Sequence, residues 1–330
     1  MPGVPTIFSA GTINADFLFP VDAPIESGGT LIAGRLLRTS GGRAANVAVM
    51  ARRLDTPARL FGCVGDDELA EQALRGPRAL GVDLAGVRHE RAETGLATIV
   101  VGRDADKTMI FAPGATDAFS EADGERVATE LQAAPERSVL VVDSEVAPAA
   151  LIPALEAARR SGHPTVLDPT RPDRVTERLL ELADHVTPNA GEAERLTGIA
   201  VESASDARRA GEELRARGAR RVHVRLPRGG CLTIGPEGEA LIRVAVDAPP
   251  VDTTGAGDAF AGTLATAILA GRPPLDAARL AVAAASLAVT ALGAQESYPD
   301  RPALGAMASR VTVSPCAPVP AASQRRGDGH

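Results

Sequence analysis

The stretch Val251-Asp252-Thr253-Thr254-Gly255-Ala256-Gly257-Asp258-Ala259-Phe260 places three small residues directly before an apolar helical pattern. Backbone N–H groups at Gly255, Ala256 and Gly257 are unhindered, and the first turn of a helix leaves its donors unsatisfied. Such a terminus holds phosphate without needing a lysine. Asp258 falls in that first turn. Beside an anion site a carboxylate has a use if it accepts the proton of a reacting hydroxyl. A plain glycine turn, followed by an acid that suits the helix dipole, accounts for the same residues without a ligand. The stretch alone leaves both readings open.

Three further groups carry polar chemistry. In Ser40-Gly41-Gly42-Arg43-Ala44-Ala45-Asn46 the glycine pair permits close backbone approach to a ligand, and Asn46 offers a donor and an acceptor from the first turn of a helix. An ordinary strand-to-helix turn fits as well. Asn14-Ala15-Asp16 follows the first strand, where open α/β sheets place ligands. Asn189 and Glu192 share one helix face, and could orient water around Mg²⁺ or simply form a capping box.

The elements that must position these residues can be read from the same 330 positions. Apolar runs at 4–10, 58–64, 138–143, 164–168, 184–187 and 221–226 read as strands. Helical patterns at 43–54, 67–75, 149–160, 173–183 and 205–217 alternate with them, the second stopping near Gly76-Pro77. Such alternation implies right-handed βαβ units and a doubly wound, mostly parallel sheet flanked by helices. A hairpin over 230–235 and 239–246 and two Ala-rich helices, 256–270 and 275–291, follow. Segments near 15–40 and 94–112 break the alternation, around Gly28-Gly29 and Asp104-Ala105, and read as β-hairpins able to form a lid. The main domain is expected to span 1–305, with a disordered tail over 306–330.

Composition excludes several functions. Lysine and arginine total 35, of which one, Lys107, is lysine, and it lies in no glycine-rich loop. A P-loop lysine is therefore absent and Schiff-base chemistry disfavoured. A net charge of -7 and 2% aromatics argue against a nucleic-acid partner. Cys63, Cys231 and Cys316 are too few and too scattered for a disulfide framework or a zinc site. The apolar stretches 256–270 and 277–292 each contain a charge and fall short of the ~20 apolar residues of a membrane span. Residues 1–10 lack the pattern of a signal peptide, so a cytoplasmic location is expected. Ala10-Gly11-Thr12-Ile13-Asn14-Ala15 lacks the glycine fingerprint of a dinucleotide oxidoreductase.

Taken together and in order, GGRAANVAVMARRL, Asn189-x-x-Glu192, DTTGAGDAF and Gly293-Ala294-Gln295-Glu296-Ser297-Tyr298-Pro299 resemble the ribokinase-like (PfkB) family of carbohydrate kinases over about 4–300. Within that family the motifs are most similar to those of ribokinases. The resemblance implies a doubly wound α/β fold with a β lid, and transfer of the ATP γ-phosphate to a hydroxymethyl group of a small sugar, ribose or ribose-like. It makes Asp258 the base and Gly255, Ala256 and Gly257 the anion hole. Asn14, Asp16, Gly41, Gly42, Asn46 and Glu145 would hold the sugar. Asn189, Glu192, Arg225, Arg228 and Gly230 would serve the nucleotide, Glu192 reaching Mg²⁺ through water. Asp252, Thr254, Ala288, Ala291, Gly293 and Ser297 would enclose K⁺, mostly through carbonyls. A homodimer through the lid is implied as well.

One segment departs from the family pattern. Where a T-x-G-x-x-G element usually lines the nucleotide, this chain has Arg225-Leu226-Pro227-Arg228-Gly229-Gly230. Pro227 removes an N–H, while arginine forks suit phosphate. Competing readings are a nucleoside kinase, a fructokinase or a non-catalytic sensor on the same fold. Few aromatics, with Phe17, Phe19 and Phe111 the lid candidates, disfavour stacking a nucleobase, and the intact Asp258 and Asn189/Glu192 disfavour a sensor.

Overall fold

The computed structural model describes residues 3–22, 30–102, 105, 107–245 and 249–315. The N-terminal part comprises β1 (Ile7–Ala10), β2 (Asn14–Pro20), β3 (Leu37–Gly41), α1 (Arg43–Arg53), β4 (Ala58–Gly65), α2 (Glu68–Ala79), β5 (Asp83–Glu90), β6 (Gly95–Val101) and β7 (Lys107–Ala112). There follow α3 (Glu121–Gln132), β8 (Val139–Asp143), α4 (Pro148–Ser161), β9 (Thr165–Asp168), α5 (Glu177–Leu182), β10 (His185–Val186), α6 (Ala190–Thr197) and α7 (Ala204–Ala216). The C-terminal part holds β11 (Arg221–Arg225), β12 (Cys231–Gly235), β13 (Gly238–Val244), α8 (Ala256–Leu269), α9 (Pro274–Ala288), α10 (Arg301–Ala308) and β14 (Val311–Pro315).

The large sheet runs β14-β13-β12-β11-β10-β9-β8-β1-β4-β5. From β11 to β5 it is parallel, with Ile7 opposite both Ala58 and Val139. β12, β13 and β14 extend it antiparallel. Strands β1, β8 and β9 are buried at every position, as expected where helices cover both faces. One face packs under α1, α2, α8, α9 and α10, the other under α3, α4, α5, α6 and α7. The strand order reverses between β1 and β8, which opens a crevice at their carboxyl ends. A second sheet, β3-β2-β6-β7, stands beside that crevice. β2 runs antiparallel to β3 and parallel to β6, so the two irregular segments form one four-stranded sheet rather than separate hairpins.

Several expectations are corrected. α2 continues through Gly76-Pro77 to Ala79. A proline disfavours helix in the preceding residue partly through that residue's Cβ, and Gly76 has none. A Cβ there would collide with Gln295. The pattern at 173–183 splits into a 3₁₀ turn, Pro172–Arg174, and the short α5. The first strand starts at Ile7 rather than at 4. β5 and α3 were not anticipated; β5 exposes or half-exposes all but one residue and so lacks a clean alternation. The expected tail from 306 is ordered as far as Pro315. The Asp300 side chain accepts the Ala303 N–H at 2.9 Å and starts α10, Leu304 and Ala308 are buried against α9, and β14 pairs with β13 from Val244↔Val311 to Ala240↔Pro315. Gly28-Gly29, Asp104, Cys316 and 316–330 lie outside the described residues.

Leu155 on α4 is fully buried in the core on the face away from α8. Leu155→Ala is expected to lower stability by about 2–5 kcal/mol, read as a reduced urea midpoint at unchanged m-value.

Candidate active site

The crevice at the switch point opens into a cavity of about 970 Å³. Asn14, Asp16, Gly42, Arg43, Asn46 and Glu145 line one part; Gly255, Ala256, Gly257 and Asp258 line its floor; and Asn189, Arg225, Arg228 and Gly230 line the other part. The fold thus gathers most of the candidate residues into one place.

Gly255 is the N-cap of α8, with φ 76°, in the left-handed region where glycine is favoured. A Cβ there would crowd Ala294 and the Tyr298 hydroxyl, and one on Gly257 would overlap the Arg225 guanidinium. The helix therefore begins with small residues under an arginine, the Ala256 N–H reaching only the Thr253 carbonyl at 3.4 Å. Asp258 is 4% exposed and takes the Asn46 Nδ2 donor at 2.7 Å and Arg43 Nη1 at 3.4 Å. Burial pushes its carboxyl up to about 6, opposed by the Arg43 charge and the Asn46 hydrogen bond. It is thus a carboxylate at neutral pH with a stronger affinity for a proton than an exposed aspartate.

Arg43 is the hub. Its Nε donates to Glu145 Oε1 at 3.1 Å, and Nη1 reaches Asp168 Oδ2 at 3.3 Å as well as Asp258. Asp168, at the end of β9, lies 3.6 Å from Arg225 Nη2, which also meets Glu192 Oε2 at 3.3 Å. Asn189 and Glu192 do form a reciprocal capping box, each backbone N–H meeting the other's side chain at 2.8 Å. The capping reading of that pair is therefore realised, and the same Glu192 carboxylate faces Arg225. Burial pushes that carboxyl above the ordinary range, and the Arg225 charge opposes the rise. The Nε of Arg225 is a buried donor without a hydrogen-bond partner.

On the other side, Asn14 opens β2 opposite Gly41 and Gly95, and Asp16 lies two residues on. A Cβ on Gly41 would overlap the Asp16 carboxylate; Gly41 itself backs Asp16 and does not line the cavity. Gly42, at φ 90°, lets the turn pass against Thr12 and Asn14. Asn14 Oδ1 and Asp16 Oδ1 are buried acceptors with no partner. Buried acceptors are rarely left so, and both residues line the same cavity, where hydroxyl donors would suit them. Burial, then the Asp258, Glu296 and Glu145 charges, raises Asp16 to about 8.

The cation set is partly assembled. Asp252 Oδ1 accepts from Thr254 N and Oγ1 at 2.8 and 2.6 Å, and Asp252 Oδ2 from Gly293 N at 3.0 Å. Ser297 Oγ turns to the Ala294 carbonyl at 2.7 Å. Ala288 ends α9, and the Val251 N–H meets the Val289 carbonyl at 2.8 Å, which lays the loop before α8 along that helix end; Ala291 is exposed in the turn beyond. Among the described residues no group of three or more His, Cys, Asp or Glu is arranged to hold a metal ion.

Sequence reasoning missed Asp168, Asp143, Lys107, Gln295 and Tyr298. Asp168 and Asp143 both end apolar runs of parallel strands, the position that would have flagged them. Asp143 is buried, accepts the Thr12 N–H at 2.9 Å, and is pushed up to about 8 by burial and Glu145. Lys107 lines the cavity; burial and then the Arg43 charge push its ammonium below the ordinary lysine value. Of the three lid phenylalanines only Phe111 lines the cavity. Phe17 packs under Arg38 at 5.5 Å.

A doubly wound sheet, an acid at a bare helix N-terminus and a polar acceptor pocket define a small-molecule phosphotransferase. The pfkB family carbohydrate kinase pattern matches residues 5–301. The chain is 31% identical over 298 residues to a ribokinase of Haemophilus influenzae, covering 90% of this chain and 96% of that one. It is 29% identical over 292 residues to a deoxyribokinase of Salmonella typhi, covering 88% and 94%. Its fold matches the structure of Arabidopsis thaliana ribokinase complexed with ribose and ATP at a TM-score of 0.81, with 28% identity over 93% of this chain and 99% of that one. The chain belongs to the pfkB family of carbohydrate kinases and is a phosphotransferase acting on a sugar hydroxyl.

The Asp16 geometry has a consequence for stability. Its folded value, about 8, lies above the ordinary 3.8. The folded state therefore loses stability as pH rises from the unfolded value to about 8. Asp16→Asn is expected to raise the melting temperature at pH 8 more than at pH 4, measured by scanning fluorimetry.

Proposed function

We propose that this chain is an ATP-dependent kinase for ribose or a ribose-like sugar. The observation that carries the reading is the pair of unpartnered acceptors, Asn14 Oδ1 and Asp16 Oδ1, in one cavity with Asp258 at the N-terminus of α8. The acceptors take sugar hydroxyls, and Asp258 receives the proton of the hydroxyl that attacks. Backbone N–H groups at 255–257 hold the charge of the transferring phosphoryl group. Arg43 and Glu145 complete the acceptor wall. Arg225, with its free Nε, and Arg228 suit the donor phosphates.

Mg²⁺ would neutralise those phosphates. A nucleotide-borne Mg²⁺ keeps most of its waters, and the buried Asp168 Oδ1, which has no hydrogen-bond partner, fits such a water beside Glu192 and Asn189. K⁺ between 252–254 and 293–297 would stiffen the loop that opens α8. The small sheet closes the acceptor side, and Met109 and Ile110, exposed on its edge strand β7, are where a second copy pairs. The protein acts in the cytoplasm, with Cys63 and Cys231 free and buried.

Phe111 and Phe260 are the aromatics that line the cavity, which supports a sugar over a nucleoside. The test is a coupled assay of ADP release over pentoses, ketohexoses and nucleosides, with and without K⁺. D-ribose or a close analogue is expected to give the highest kcat/KM. Asp258→Asn is expected to lower kcat by roughly 10²–10⁴-fold. The wild-type rate should fall below about pH 6, where Asp258 takes up its proton. Turnover of no sugar in the panel would sink the proposal.

A further inference from the structure

Gln295 lies in the 3₁₀ turn Gln295–Ser297, distant in sequence from both helices that frame the base, yet it is 5% exposed and reaches the centre of the site. Its Nε2 donates to Asn46 Oδ1 at 2.9 Å, and Asn46 Nδ2 donates to Asp258 Oδ2 at 2.7 Å. We propose that Gln295 is a positioning residue for phosphoryl transfer: it locks the Asn46 amide so that the NH₂ end, and never the carbonyl, faces Asp258.

The reasoning is one of donor and acceptor polarity. An ionised carboxylate only accepts, and a protonated one must donate. An asparagine free to turn over serves either state, NH₂ towards the carboxylate or C=O towards the acid. Gln295 removes that freedom, because turning Asn46 over would set two NH₂ groups against each other. The lock favours the ionised form, the form that can take a hydroxyl proton. Gln295 is itself held. Arg53 Nη2 donates to its main-chain carbonyl at 3.2 Å, and its Oε1, a buried acceptor without a hydrogen-bond partner, lies over Gly76 where a Cβ would not fit. This gives the glycine before Pro77 a role that helix propensity does not supply.

Other titratable groups face Asp258 from the elements around it: Arg43 on α1, Asp168 on β9, Arg225 on β11, Asp16 on β2, Lys107 on β7 and Tyr298 beyond the turn. Glu296 is next to Gln295. All of these remain in Gln295→Met, which adds no charge, so a change in its pH profile reports on the amide; Gln295→Glu adds a like charge as well.

The inference rests on Asp258 as the base. The experiment compares kcat/KM from pH 5 to 9 in wild type, Gln295→Met and Gln295→Glu, with the best acceptor from the panel. Methionine keeps the length and frees Asn46. Glutamate offers only acceptors, draws the Asn46 NH₂ away and forces its carbonyl towards Asp258. The ratio of rates at pH 8 and pH 5.5 is expected to rise about two- to threefold in Gln295→Met, as the acid limb moves up by about half a pH unit, and further in Gln295→Glu. The ratio is taken on one preparation, so a partly unfolded sample does not alter it. Acid limbs that stay at the wild-type position, with Asp258→Asn inactive, overturn the inference alone and leave Gln295 a packing residue. An Asp258→Asn enzyme with wild-type activity overturns the reading of the base and the inference together.

Discussion

Arg43 holds three carboxylates from three separate elements: Glu145 beyond β8, Asp168 at the end of β9 and Asp258 in the first turn of α8. Asp168 is shared with Arg225, which continues the chain of charges to Glu192 on α6. Buried ion pairs owe little net stability to their attraction, because desolvation opposes it, but losing one partner leaves the others unpaired. The network thus works as a geometric clamp. It ties together the carboxyl ends of β8, β9 and β11. The clamp's own anchor is polar too: the Arg43 N–H donates to Thr12 Oγ1 at 2.9 Å, and Thr12 N–H to Asp143 at 2.9 Å.

A second constraint is apolar and concerns how near α1 comes to α8. Gly262, one turn after Asp258, meets Met50 and Val47, which lie one turn and one residue after Asn46; a Cβ at 262 would stand 2.8 Å from Met50 Cβ and 3.0 Å from the Val47 carbonyl. The helices touch there because one has no side chain. That approach brings Asn46 within 2.7 Å of Asp258 on the preceding turn. The polar contact of the base is set by a packing contact of the core, and the run of alanines along α1, α8 and α9 is what permits such close layers.

Strong periodicity made the sheet legible: VLVVD at 139–143 could only be a strand buried on both faces, and the Gly-rich turns before α1 and α8 marked the ligand-facing ends of helices. What stayed hidden depended on contacts remote in sequence. By local steric rules Gly76-Pro77 reads as a helix stop; the remote Ser40, whose hydroxyl takes the Gly76 N–H at 2.8 Å, is invisible to those rules. The segment after 306 looked disordered by its prolines and small residues, while its order comes from the edge of β13, which offers five residues to pair. Arg43 stands in the glycine-pair turn, but its role as a hub does not show in the sequence, since each of its three partners lies more than a hundred residues from it.

The near-absence of lysine acquires a physical sense at this site. One guanidinium can fork between carboxylates in fixed directions, as Arg43 and Arg225 each do, whereas an ammonium is a point charge on a flexible stem. The forks are nevertheless outnumbered. Glu145, Asp168, Glu192 and Asp258 are four carboxylates facing two guanidiniums, an excess of two negative charges before any ligand arrives. Lys107 and Arg228 line the same cavity and offset part of that excess. The imbalance therefore belongs to the network itself, while further positive groups stand on the cavity wall outside the clamp.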